Sequence, residues 1–82
     1  MLLNNHIKYL TDNGFEISQL KTESVYWIYN DYFNIAVKKN CYDLFAQAPG
    51  RIVLLATICV ELSMEDFMVV MDGFGLIKNV IV

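Results

Sequence analysis

The stretch that most constrains the fold is residues 51–62, RIVLLATICVEL. From residue 52 to residue 60 every side chain except that of Thr57 is apolar, so both faces of a strand here would avoid water. Such a run is typical of a strand that is covered on both sides. A buried helix gives the same pattern, but the β-branched residues favour a strand. We therefore expect a central strand that follows a turn at Pro49-Gly50 and precedes a helix starting at Ser63.

The apolar content is high for the length of the chain. Residues 1–82 are expected to form a single domain, and 56% of its residues are hydrophobic. A domain of this size buries only about 60% of the surface that its unfolded chain exposes. Part of the apolar surface must therefore lie outside the core. Single exposed apolar side chains are ordinary, and the alternative that we favour is a patch covered by a partner.

The charge balance argues against a nucleic-acid partner. Nine acidic and six basic residues give a net charge of −3, and Lys38-Lys39 is the only basic pair. Proteins that bind DNA or RNA concentrate Lys and Arg on one surface to neutralise phosphates. This chain has no such stripe, and its acidic residues are too scattered to imitate a nucleic acid.

The cysteines and the apolar runs indicate a cytoplasmic protein without a membrane partner. Cys41 and Cys59 are far apart and belong to no CxxC motif. The N-terminal residues lack the pattern of a signal peptide, and the longest apolar run is too short to span a bilayer. We expect reduced thiols, with Cys59 packed as a small apolar side chain, and a Cys41–Cys59 disulfide is the alternative.

The first of two predicted helices covers residues 3–13. It starts at Asn4 or Asn5, both of which favour the N-cap position. It ends at Gly14, which suits the left-handed conformation of a C′ residue. Phe15 would then fold back over the last turn in a Schellman arrangement.

The second predicted helix begins at Ser63. Asp66, three residues on, completes an approximate capping box, and Gly73 repeats the stop signal of the first helix. One face of this helix is apolar at the spacing i, i+3, i+4 and i+7 and consists of Met64, Phe67, Met68 and Met71.

Alternating segments between and after the helices predict the remaining strands. They are residues 15–22, 25–30, 32–39, 42–48 and 76–82. In the segment 32–39, the alternation predicts an inward face of Phe33, Ile35 and Val37 and an outward face of Tyr32, Asn34, Ala36 and Lys38. The predicted fold is α+β, with two layers, a mostly antiparallel sheet of about five strands and two short helices, in the order α-β-β-β-β-α-β.

No constellation of residues predicts catalysis. His6 is the only histidine, and in the first turn of a short helix it is expected to be solvated. One histidine and two separated cysteines are too few for a zinc site, and Gly73-Phe74-Gly75 lacks the setting of a dinucleotide loop. We therefore expect neither an enzyme nor a cofactor or metal.

The aromatic residues are the stronger functional signal. Seven lie within twenty positions, and in the segment 25–30 Trp27 and Tyr29 share one strand face while Tyr26 lies on the other. Exposed Tyr and Trp are enriched in protein interfaces, although a plain aromatic core would have the same sequence. The predicted partner-binding residues are four aromatic residues and two acids that would steer a basic partner: Tyr26, Trp27, Tyr29, Tyr32, Asp31 and Asp43.

Three classes of function remain open at this point. The favoured one is a small acidic, non-enzymatic protein-binding module of the inhibitor, antitoxin, immunity, phage-antagonist or chaperone type, which acts by steric occupation of a partner protein and forms a homodimer. The alternative is a regulatory domain that binds a small molecule between the sheet and the methionine-rich helix. The third is an enzyme without a recognisable base.

Overall fold

The computed structural model describes residues 2–18 and 26–77. It contains helix α1 (Asn4–Asp12), strands β1 (Glu16–Ile17), β2 (Tyr26–Tyr29), β3 (Phe33–Val37), β4 (Tyr42–Ala48) and β5 (Arg51–Ile58), and helix α2 (Met64–Gly73). The strands form one antiparallel sheet in the order β1-β2-β3-β4-β5. The α+β class, the five-stranded antiparallel sheet and the two helices are confirmed.

The order of elements differs from the prediction by one strand. Five strands lie between the helices, one in each of the five segments identified there, whereas the predicted order counted four, and the described residues give α-β-β-β-β-β-α. Leu76 and Ile77, where a last strand was expected to begin, are buried but are not part of a strand. Residues 78–82 lie outside the described residues, as does the part of the first predicted strand beyond residue 18.

The helix ends follow local capping chemistry. Gly14 has a φ of +90°, and the Phe15 N–H donates to the Leu10 carbonyl at 3.1 Å, so the predicted Schellman motif is confirmed. Ser63 caps α2, because its hydroxyl accepts from the Asp66 N–H at 3.1 Å.

Two predicted end positions were wrong. Gly73 is the last residue of α2, and Gly75, with a φ of +79°, takes the left-handed C′ position. The Leu76 N–H then donates to the Met71 carbonyl at 2.8 Å, the same 6→1 bond that ends α1. At the start of α1 the N-cap is Leu3, not Asn4 or Asn5.

Both helices pack on one face of the sheet. Residues paired across antiparallel strands share a face, and the row Ile28, Ile35 and Leu44 is fully buried. Leu10 of α1 and Phe67 of α2 belong to the same core cluster. Phe33 and Val37 also pack in this core, as the alternation in β3 predicted. We call this face the helix-covered face.

Among the described strands, β5 lies at the edge of the sheet and not at its centre as predicted. Its only neighbour among the described strands is β4. Ile52, Val53 and Leu54 are exposed, with Leu54 retaining 55% of its accessible surface. Leu55 has no partner in β4, because Leu44 pairs with Ala56 and Phe45 pairs with Leu54, which forms a bulge. The same apolar sequence pattern occurs in a buried central strand and in an edge strand whose apolar side chains are exposed.

Candidate functional site

The candidate site is the sheet face opposite the two helices, which we call the open face. The register places Tyr29, Asn34, Phe45 and Leu54 in one row across β2 to β5. Trp27 lies on the same side, two residues before Tyr29. Neither Trp27 nor Phe45 belongs to the helix-covered core cluster, and their ring centroids are 5.9 Å apart. A mostly apolar sheet surface is therefore left without a helix from the described residues.

A groove of about 490 Å³ crosses the open face. It is lined by Ser18, Trp27, Tyr29, Asn34 and Ile52. The aromatic side chains of β2 form one side and Ile52 of β5 forms the other. Asn34 of β3 lines the groove between these two sides.

Asp43 lies on the open face but is held inside the molecule. Its carboxylate is 2.7 Å from Lys38 Nζ and accepts a 2.7 Å hydrogen bond from the Thr57 hydroxyl. These bonds lower the pKa of Asp43, Lys38 first, against the opposing effect of burial. Since the residue is only 7% exposed, Asp43 anchors three strand segments and does not stand free as a steering charge.

The acidic end of the open face is the turn between β2 and β3. Asn30 Oδ1 accepts from the N–H groups of Tyr32 and Phe33, both at 2.8 Å, which fixes the turn that Asn30-Asp31 predicted. A notch of about 240 Å³ lies there, lined by Gly14, Glu16, Tyr29, Asn30 and Asp31. Glu16 pairs directly with Tyr29 and shares its face. Neither Glu16 nor Asp31 forms an ion pair with a described residue.

The structure separates one predicted partner-binding residue, Tyr26, from this surface. Tyr26 lies on the helix-covered face, where it packs partly buried against the core and burial raises its pKa. Tyr32 is 71% exposed and lies beside the open face, because it precedes Asn34 by two residues and its carbonyl accepts from the Gln47 N–H. The fold therefore places five predicted residues on or beside the open face, with Asp43 paired to Lys38: Trp27, Tyr29, Asp31, Tyr32 and Asp43. Glu16, Asn34, Ile52 and Leu54 were not predicted, because their place on this face follows from strand pairing.

His6 is buried, contrary to the expectation of a solvated side chain. Its Nδ1 accepts from the Leu3 N–H at 3.1 Å, so it completes the first turn of α1 in place of an asparagine cap. Its ring stacks on Phe67 of α2 and is 1% exposed. Burial lowers the pKa of His6, while a hydrogen bond to the backbone of Leu62 and the charge of Glu61 act in the opposite direction. The residue joins the two helices.

Cys41 and Cys59 form a disulfide, so the expectation of reduced thiols was wrong. Tyr42 pairs with Ile58, and the cysteines follow one position further on each side, which places them opposite one another. Their Cα atoms are 4.2 Å apart, close to the spacing of a non-hydrogen-bonded antiparallel pair. The bond ties the end of β5 to the start of β4.

Neither a metal cluster nor a membrane-spanning helix is found in the part of the chain that the structure describes. Residues 2–18 and 26–77 contain no group of three or more His, Cys, Asp or Glu side chains arranged to hold a metal ion. Within the same residues, neither helix is long and apolar enough to cross a bilayer.

Comparisons with known proteins give no family for this chain. No protein-family model, curated protein or solved structure matches it. The interpretation of the open face therefore depends on the geometry and chemistry of its own residues.

Proposed function

We propose that this protein is a non-enzymatic protein-binding module whose open face contacts the partner. The observation that carries the proposal is the uncovered row of Tyr29, Asn34, Phe45 and Leu54, opposite a face that both helices fill. An uncovered apolar surface of this kind typically marks an interaction site.

The composition of the open face fits protein recognition. Trp and Tyr bury a large area at a small entropic cost, and both line the groove. The only described acid that is buried in this face, Asp43, is already neutralised by Lys38, so covering it leaves no unpaired charge. The exposed carboxylates of Glu16 and Asp31 lie at one end, where a rim charge would guide a basic partner.

The proposed mechanism is steric occupation. The open face spans five hydrogen-bonded strands, and a continuous surface of this kind acts by covering a matching surface on another protein. Inhibitors, antitoxins, immunity proteins, phage antagonists and chaperones work in this way. A homodimer remains part of the proposal, because the apolar edge strand β5 and the open face both lack a described neighbour.

The small-molecule alternative has less support. Phe67 and Met71 of α2 are fully buried in the core, so they fill the space between helix and sheet that the alternative requires. The groove of about 490 Å³ has the volume of a ligand site but lies on the opposite face. A thermal-shift screen of small molecules tests this alternative, which predicts saturable stabilisation by a ligand.

The test compares Leu54→Lys with the matched control Val69→Lys. Leu54 is on the open face, whereas Val69 is an equally apolar, 70% exposed side chain on α2. Each tagged variant is used to capture proteins from an extract of the source cells, and each captured protein is then purified and titrated by calorimetry. A partner that binds the wild type and Val69→Lys but not Leu54→Lys supports the proposal. If every captured protein binds the wild type and both variants equally, the open face is not the binding surface.

A further inference from the structure

We infer that the open face binds an extended segment of another protein, in which an arginine lies about four positions from a large apolar residue. The inference rests on the proposed function, because it names what the same surface recognises. Two neighbouring features of the open face support it. They are the apolar groove and the acidic notch at the turn between β2 and β3.

The groove fits an extended segment that lies across the strands. Its lining runs from Ser18, the residue after β1, past Asn34 of β3 to Ile52 of β5. Neighbouring strands are about 4.8 Å apart, so about 19 Å separate β1 from β5. An extended chain covers that distance with about six residues. The Asn34 amide can donate to and accept from the backbone of such a segment.

The notch fits a cation. Glu16 and Asp31 line it, and their exposed carboxylates form no ion pair with a described residue. Tyr29 lines both the notch and the groove, so the two features adjoin at its ring. Glu16 is paired directly with Tyr29 in the neighbouring strand, and side chains paired in this way lie close together on one face.

Arginine suits this combination better than lysine does. Its planar guanidinium stacks on an aromatic ring and donates to carboxylates from its edge at the same time. Tyr29 supplies the ring, and Glu16 and Asp31 supply the acceptors. The turn that carries Asp31 is already fixed, because Asn30 Oδ1 accepts from two of its backbone N–H groups. A site that is ordered in advance loses little entropy when it binds.

The distance between the two features sets the spacing in the partner. Tyr29 of β2 and Leu54 of β5 lie in one row, three strand spacings or about 14 Å apart. An extended chain covers about 14 Å with four residues, and side chains four positions apart point to the same side. An arginine over Tyr29 therefore places the side chain four positions away against the exposed Ile52 and Leu54, where a large apolar group fits.

The other described charges of the open face do not offset the notch. Asp43 and Lys38 pair at 2.7 Å and neutralise each other. Glu16 and Asp31 thus leave an excess of negative charge at one end of the groove. Such a charge attracts a basic segment and repels an acidic peptide or a nucleic acid.

The test selects binders from a phage library of random dodecapeptides, with the full chain as bait. We expect the selected peptides to be enriched in arginine with leucine, isoleucine, phenylalanine or methionine four positions away. One selected peptide without tryptophan is then made with arginine, lysine or uncharged citrulline at that position. Each version is titrated through the emission of Trp27, the only tryptophan of the chain, and we expect arginine to bind most tightly and citrulline least.

The same titration with variants identifies the notch. Glu16→Gln and Asp31→Asn are each expected to weaken the arginine peptide about twofold to fivefold, the effect of losing one exposed ion pair. The double variant should weaken it about tenfold. Glu65→Gln removes the same charge from an exposed position in α2, on the other side of the sheet, and should leave the affinity unchanged. The citrulline peptide should bind the wild type and every variant equally.

Three results would overturn the inference. The first is a selection that yields no binding peptide, and the second is a set of binders without the expected enrichment in arginine. The third is an arginine peptide that Glu16→Gln and Asp31→Asn weaken no more than Glu65→Gln does. None of these decides the proposed function, because capture of a partner protein by the open face is measured separately with Leu54→Lys.

Discussion

The ring of His6 in α1 stacks on the ring of Phe67 in α2, with centroids 4.3 Å apart and planes inclined by 15°. Phe67 also meets Tyr9 and Tyr42 edge-on, at 6.2 and 6.3 Å. A histidine thus forms the contact between the two helices at the centre of an apolar cluster. Protonation of His6 would place a charge in that cluster.

We therefore predict that the protein loses stability as the pH falls below 6.5. Burial lowers the pKa of His6 in the folded state, so the unfolded chain binds the proton first and the free energy of unfolding falls with pH. The loss is at most about 1.4 kcal/mol per pH unit below 6.5. Urea unfolding between pH 7.5 and 5 measures it.

The control for this prediction is His6→Asn, which keeps an acceptor near the Leu3 N–H without a titratable ring. Its unfolding free energy should change less over the same range. An equal pH dependence in both proteins would assign the effect to another group. Asp43 does not interfere, because its lowered pKa places its own loss of stability below pH 3.8.

Tyr42→Phe is predicted to leave the free energy of unfolding unchanged or to raise it by up to about 1 kcal/mol, because an unpaired buried hydroxyl costs about that much. Tyr42 is fully buried, and its hydroxyl has no hydrogen-bond partner among the described residues. The same burial raises the pKa of Tyr42 to about 12. Chemical denaturation tests the prediction, with Tyr32→Phe as the exposed control. A loss of more than 1 kcal/mol would mean that the hydroxyl has a partner.

Removing the disulfide is predicted to lower the free energy of unfolding by about 3 kcal/mol, the value for a loop of this length. Cys41 and Cys59 are 18 positions apart. The Cys41→Ser, Cys59→Ser double variant and the wild type under a thiol reductant should give the same reduced stability. If the reductant leaves the wild-type unfolding curve unchanged, the two cysteines are not bonded in solution.

Asp43→Asn is predicted to cost about 1–3 kcal/mol, the contribution of hydrogen bonds to a buried charged group. It weakens the bonds to Lys38 and Thr57. Asp31→Asn removes the same charge from an exposed turn and should change stability by less than about 0.5 kcal/mol. The two variants are compared by urea unfolding at pH 7. Equal costs would mean that Asp43 does not anchor the strands.

Replacing each tyrosine by alanine, one at a time, distinguishes tyrosines that pack in the core from those that are exposed. Tyr26→Ala should cost roughly 2–4 kcal/mol, because Tyr26 packs partly buried against the core. Tyr32→Ala should change stability by less than about 0.5 kcal/mol, because Tyr32 is in an exposed turn. Thermal unfolding ranks the variants. A small cost for Tyr26→Ala would return that residue to the set of candidate interface residues.

Several local features were predictable because local chemistry decides them. Gly14 and Phe15 end α1 through one pair of backbone bonds, and Ser63 starts α2 through one side-chain bond. The alternation in β3 also assigned its inward side chains correctly, since successive residues of a strand must face opposite ways. The position of Trp27 and Tyr29 on one face followed from the same rule.

The sequence by itself determined the class of fold, the end of α1, the start of α2 and the faces of β2 and β3, because capping and alternation act between residues a few positions apart. Only the tertiary structure decided that β5 lies at the edge of the described strands, that His6 is buried between the helices and that Cys41 meets Cys59. Strand order and helix placement depend on contacts between distant segments, which a local pattern does not contain. The open face also depends on such distant contacts. The helices cover one side of the sheet, and an apolar run in the sequence does not indicate which side they cover.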